Sequence, residues 1–119
     1  MKSLLITTAL LEGMAGLAMA FAPSFVVSVL FGISMNDNGI DLMVRLTGAT
    51  LLTLAIACWL SAKNAQSFVL AKTMTVYNIL TIALLLYAVF DRGISGPGIW
   101  PAVVFHFGML VWCLYRLRK

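Results

Sequence analysis

Four polar side chains interrupt long apolar stretches of this sequence, and their types could support chemistry. Glu12 lies near the middle of the run Ser3–Phe21, Arg45 follows a polar turn, and Asn78 and His106 lie within two later apolar runs. A carboxylate, an amide and an imidazole can form hydrogen bonds with one another, and the carboxylate and the imidazole can also take up and release protons. The candidate site residues are therefore Glu12, Arg45, Asn78 and His106.

The chain offers little material for other kinds of site. Its 119 residues include four acids, one histidine and two cysteines. Paired-carboxylate hydrolysis, zinc clusters and phosphate-binding loops lack the residues that they need. Cys58 and Cys113 do not form a Cys-x-x-Cys pair, which argues against thiol redox chemistry. The scattered methionines indicate apolar packing, so the sequence predicts no catalytic residue, no metal and no cofactor.

The composition indicates which elements must position these side chains. Apolar residues make up 62% of the chain and charged residues 10%, whereas soluble domains have roughly half and roughly a quarter. A membrane-crossing helix takes about 20 residues, so the chain accommodates four spans and no further domain. We expect an all-α, polytopic membrane protein with a four-transmembrane-helix bundle.

A single proline in the first half of the chain predicts a fifth, short helix. Pro23 has no N–H and is best tolerated in a first helical turn, so a new helix is expected to start there. This segment is too short to cross a membrane, and it should lie along the interface or continue span 1 after a bend. Asp41 is predicted to cap span 2. The expected single domain 1–119 has spans 3–21, 41–61, 67–90 and 100–117, with the interfacial helix at 23–33.

The first run also has features of a signal peptide. Lys2 gives it a charged start, and Ala18-Met19-Ala20 imitates a cleavage site. A carboxylate in the middle of the apolar region is unusual in such peptides, so Glu12 favours a membrane span.

Small residues recur along the faces of the first two spans. Their spacings of three, four or seven residues place them on one side of each helix and predict close helix–helix approach. The pattern favours a compact bundle over a wide pore. The small residues are Ala9, Gly13, Gly16 and Ala20 in span 1, and Gly48, Ala55 and Ala62 in span 2.

The basic residues are distributed unevenly about the predicted spans. Only Arg45 and Arg92 lie on one side, where three aspartates accompany them. By the positive-inside rule, both termini are expected in the cytoplasm. The net charge of +4 then needs no nucleic-acid partner. The cytoplasmic set is Lys2, Lys63, Lys72, Arg116, Arg118 and Lys119.

Several short motifs occur in order along most of the chain. They are Glu12 in span 1, Ala22-Pro23 before the interfacial segment, an Arg-x-x-Gly-Ala opening of span 2 from Arg45 to Ala49, and Tyr77-Asn78 in span 3. This layout resembles small bacterial four-span membrane proteins of the DoxX-like kind. The resemblance implies a four-helix fold and a place in the bacterial inner (cytoplasmic) membrane.

The position of Glu12 also supports a second resemblance. A four-span chain of this length with a glutamate in span 1 is similar in layout to the small multidrug resistance transporters. That resemblance implies proton-coupled transport with Glu12 as the essential carboxylate. The departures are a span 2 without tyrosine, a span 3 without a Trp-containing glycine motif, and an uneven distribution of basic residues.

Two interpretations of the intramembrane polar residues stay open. They line a cavity in the bundle, or they form interhelical hydrogen bonds that only hold the helices together. Glu12 needs protonation or a polar partner, for which Asn78 and His106 are the nearest expected candidates. Arg45 follows Asp41 by four residues, a spacing that also fits a weak surface pair.

The main functional hypothesis is a non-enzymatic protein that binds a lipid or another hydrophobic small molecule, or that acts as an accessory subunit. Its expected partners are membrane lipid and a larger membrane complex or further copies of the chain. The alternative is a proton-coupled small-molecule transporter using Glu12. An enzyme acting on a lipid-like substrate, with His106 or Glu12 as acid or base, is a further hypothesis, but no motif links a nucleophile to a base.

Overall fold

The computed structural model describes residues 1–119, and its only regular elements are helices. They are α1 (Lys2–Phe21), α2 (Pro23–Phe31), α3 (Asn38–Ser61), α4 (Ser67–Phe90) and α5 (Ile99–Arg118). All except α2 are long and apolar enough to cross a membrane. The longest dimension of the fold is 45 Å, and a bilayer with its headgroups measures about 40–45 Å. The predicted all-α, four-span architecture is confirmed.

The tightest packing in the molecule joins α1 to α3 along the small residues. Gly16 and Gly48 are both buried and bring the two backbones into direct contact. About one helical turn before Gly16 in α1, a Cβ at Gly13 would lie 3.6 Å from the Cβ of Ala55 in α3. The close helix–helix approach predicted from the small residues is confirmed for α1 and α3, because glycine and alanine have no side chain beyond Cβ to hold the helices apart.

The other long helices form a second antiparallel pair, α4 with α5. The two pairs meet in a core near the chain termini, which we call the terminal end of the bundle; α2 and the α4–α5 loop mark the opposite α2 end. Between the pairs the backbones rarely come close. The core at the terminal end consists of Leu4, Leu5, Ala9, Cys58, Ala62, Ala71, Met74, Met109 and Cys113.

A break at Ala22 separates α1 from α2 and confirms the predicted restart at Pro23. Ala22 has non-helical backbone angles (φ −135°, ψ 58°), and Pro23 is the first residue of α2. The helix ends at Phe31, earlier than the expected residue 33, because Gly32 adopts a left-handed conformation (φ 66°). The chain therefore turns sharply at both ends of α2.

Two backbone hydrogen bonds fasten α2 to the α4–α5 loop. The amide of Gly96 donates to Leu30 O (3.0 Å), and the amide of Gly98 donates to Val29 O (2.7 Å). These carbonyls lie in the last turn of α2, where no helical N–H reaches them. The loop thus supplies hydrogen-bond donors for two carbonyl groups at the end of α2 and holds this helix on the bundle.

The predicted cap of the second span was wrong by one helical turn. Asp37, not Asp41, is the N-cap of α3, and its Oδ1 accepts from the amides of Gly39 (2.7 Å) and Ile40 (3.0 Å). Asp37 has an extended backbone (φ −118°, ψ 127°) that suits a cap. Asp41 lies inside the first turn, where its negative charge interacts favourably with the positive end of the helix dipole.

Candidate functional site

A cavity of about 730 Å³ lies between the α1–α3 pair and the α4–α5 pair, in the half of the bundle near the α2 end. All five helices contribute to its lining, and α2 forms one wall. Of its 21 lining residues, 16 are hydrophobic when Tyr77, which also carries a hydroxyl, is counted among them. The lining side chains with a polar group are Tyr77 and the five others, Glu12, Thr47, Thr50, Thr81 and His106.

Glu12 reaches from α1 towards α4 and is only 4% exposed. The hydroxyl of Tyr77 donates a hydrogen bond to Glu12 Oε2 (3.1 Å). The expectation that Asn78 or His106 would be the hydrogen-bond partner was therefore wrong. One residue step turns a side chain by about 100° around a helix, so Tyr77 faces α1 while its neighbour Asn78 faces α5.

Asn78 and His106 form a second buried pair, which joins α4 to α5. The distance between Asn78 Oδ1 and His106 Nδ1 is 2.8 Å. The amide nitrogen of Asn78 donates to the backbone oxygen of Met74 (2.7 Å). Asn78 is itself 1% exposed and lies behind His106, outside the cavity lining.

Aromatic contacts link the two polar pairs. The His106 ring packs edge-on against Tyr77, with centroids 5.7 Å apart, and against Phe105, with centroids 5.1 Å apart. Glu12, Tyr77 and His106 thus form one cluster across α1, α4 and α5. We call these three residues the polar floor, since they end the cavity on the side of the packed core.

Two atoms of the polar floor have no protein partner. Every fully buried side-chain nitrogen and oxygen in the molecule makes a hydrogen bond. The bonds described above use Glu12 Oε2 and His106 Nδ1, and they leave Glu12 Oε1 and His106 Nε2 free. These two atoms therefore border open space, and the cavity is the open space that both residues line.

Arg45 does not join this cluster. Its Nε forms an ion pair with Asp41 (2.8 Å), as the spacing of four residues predicted, and its side chain is 45% exposed. Its second contact is a hydrogen bond to Ala20 O (2.6 Å), a carbonyl left without a helical partner where α1 ends. Arg45 ties the start of α3 to the end of α1 and lies outside the cavity lining.

The two cysteines also lie away from the cavity. Cys58 and Cys113 are free, buried and part of the core at the terminal end. No group of three or more His, Cys, Asp or Glu side chains comes together in the fold. With a mostly apolar lining and the polar floor at one end, the cavity can hold an apolar molecule and form hydrogen bonds to one end of it.

Sequence reasoning found two members of the polar floor and missed Tyr77 as a site residue. Tyr77 and Thr81 are four residues apart, so they share one face of α4, and both line the cavity. That spacing was the signal available in the sequence. Comparison of the chain with protein-family models, curated proteins and solved structures found no match.

Proposed function

We propose that this chain is a non-enzymatic membrane protein that binds a lipid or another hydrophobic small molecule in the cavity between its two helix pairs. The observation that carries the proposal is an apolar cavity of about 730 Å³ that ends on the polar floor. Pockets for small organic ligands measure about 300–1,000 Å³, with a few polar groups that fix orientation. An apolar molecule with one polar end fits that description.

The surroundings of the cavity support a ligand that arrives from the membrane. The four long helices have the length and composition to cross a bilayer, and the polar floor lies near the middle of α1 and α4. A molecule already dissolved in hydrocarbon reaches this depth without desolvating its apolar body. We propose the bacterial inner membrane as the location, with the chain acting as an accessory subunit of a larger complex or as a homo-oligomer.

Native mass spectrometry tests the binding proposal. The protein, purified from membranes and released gently from its detergent or nanodisc, should retain a small molecule or lipid at a fixed stoichiometry. Extraction and fragmentation then identify that molecule. A protein that is recovered empty, and whose thermal stability no added lipid changes, would contradict the proposal.

Proton-coupled transport is the second candidate, and the free Glu12 Oε1 at the cavity favours it. Glu12→Gln separates the two roles, because the amide oxygen still accepts from Tyr77 but the side chain no longer ionises. For a binding protein we expect Glu12→Gln to keep its thermal stability and its retained ligand. For a transporter, the same change should abolish pH-dependent uptake into liposomes.

Glu12→Leu is the matched variant for the structural role of the carboxylate. It leaves the Tyr77 hydroxyl without its acceptor, and an unsatisfied buried polar group costs about 1–3 kcal/mol. Thermal denaturation should therefore rank wild type and Glu12→Gln together, above Glu12→Leu. Equal stability of all three proteins would show that the Tyr77–Glu12 hydrogen bond does not stabilise the bundle.

We propose a cytoplasmic location for the terminal end of the bundle. This end has six of the eight basic residues, whereas Arg45 and Arg92 at the α2 end pair with Asp41 and Asp91. Reporter fusions after Lys119 and within residues 93–98 should therefore report the cytoplasm and the opposite compartment, respectively. A carboxyl terminus outside the cytoplasm would refute this orientation.

A further inference from the structure

The hydrogen bonds of Asn78 determine which nitrogen of His106 is protonated. Asn78 Nδ2 donates to Met74 O, which orients the amide so that its oxygen faces the imidazole. A carbonyl oxygen only accepts hydrogen bonds, so His106 Nδ1 must be the donor. The neutral ring then has an unprotonated Nε2 with a free lone pair.

The free lone pair points to one kind of ligand head. His106 is 9% exposed and Glu12 is 4% exposed, yet Nε2 of the first and Oε1 of the second have no protein partner. Both residues line the cavity. An unprotonated imidazole nitrogen accepts a hydrogen bond and cannot donate one. The Tyr77 hydroxyl already donates its proton to Glu12.

We infer that the ligand has an apolar body and a polar head that donates a hydrogen bond, such as a hydroxyl or an amine, to His106 Nε2. This inference rests on the proposed binding function and specifies its ligand. A head that only accepts, such as an ether, would leave His106 Nε2 unpaired in an apolar cavity. Such unpaired groups are the main source of discrimination in buried polar sites.

A pair of matched probes tests the inference in nanodiscs of phosphatidylcholine, whose headgroup lacks N–H and O–H donors. 1-Dodecanol and dodecyl methyl ether have similar apolar bodies and differ in the donor. His106 is the only histidine of the chain, so ¹⁵N-histidine labelling with a histidine-free affinity tag gives a single pair of ring signals. Before any probe is added, these signals should identify Nδ1 as the protonated nitrogen.

The expected result is that dodecanol shifts the Nε2 signal and binds about fivefold more tightly than the ether, the effect of one net hydrogen bond. Dodecylamine distinguishes a neutral head from a cationic one. If its ammonium group binds more tightly than the hydroxyl of dodecanol, the Glu12 carboxylate is a second contact of the head. Either order of these two probes supports a donor head, provided that both bind more tightly than the ether.

Asn78→Leu tests whether Asn78 determines the tautomer of His106. Without the amide oxygen, the ring is free to protonate Nε2, and the preference for dodecanol over the ether should fall towards one. Thr53→Val is the control, because Thr53 is exposed, bonds only within α3 and lies outside the cavity lining. If Asn78→Leu does not fold, the comparison of probes on the wild-type protein decides the question alone.

The outcomes separate this inference from the proposed function. Equal binding of dodecanol and ether, or an unprotonated Nδ1 in the free protein, overturns the donor head while the cavity remains a binding site. If none of the three probes shifts a His106 signal or stabilises the protein, the binding function itself is wrong, and this inference falls with it.

Discussion

Gly48→Leu is expected to separate α1 from α3 and to lower the free energy of unfolding by about 3 kcal/mol or more. Even a methyl group at Gly48 would lie 2.6 Å from Gly16 O and 2.6 Å from the amide nitrogen of Ala20. Both are backbone atoms, so no side-chain rotation relieves the overlap and the helices must move apart. Thermal denaturation followed by circular dichroism, together with size-exclusion chromatography, measures the loss.

Gly108→Leu is the matched control for this prediction. Gly108 also lies in a membrane-length helix, but a Cβ at this position meets no atom within 4 Å. The same substitution there adds apolar surface and removes a flexible glycine, so the protein should denature at or above the wild-type temperature. If Gly48→Leu were as stable as Gly108→Leu, the backbone contact between α1 and α3 would not be part of the fold.

The parts of the fold that the sequence predicted correctly depend on short stretches of chain. The restart at Pro23 follows from the missing N–H of proline, and the facing of Gly16 and Gly48 follows from the spacing of small residues. The cap of α3 was harder to predict, because Asp37 and Asp41 both have the side chain that a cap needs. Only the extended backbone at Asp37 decides between them.

The cavity could not be predicted, because it depends on the distance between the two helix pairs. The small residues predicted a compact bundle, and this holds within the α1–α3 pair but not between the pairs. No pattern within one helix encodes that separation. The same reason explains the missed contact of Glu12 with Tyr77, since a buried carboxylate indicates that a polar partner exists but does not identify it.

Ala15→Phe is expected to reduce ligand binding about tenfold or more, which corresponds to about 1.4 kcal/mol of binding free energy. Ala15 lines the cavity three residues after Glu12, on the same face of α1. A phenylalanine there occupies the space next to the polar floor, where the head of the ligand is expected. Native mass spectrometry of the purified variant measures how much ligand it retains, and the dodecanol titration measures the affinity directly.

Ala49→Phe is the control, because it adds the same ring to a helix of the same pair at an exposed position outside the cavity lining. Both variants have the same gain in apolar surface, so non-specific partition of lipid onto the protein changes equally in the two. A loss of ligand confined to Ala15→Phe therefore locates binding in the cavity. If both variants retain the ligand, it binds to the outer surface of the bundle. If both lose it, the substitutions act through stability, and thermal denaturation of Ala49→Phe shows this independently.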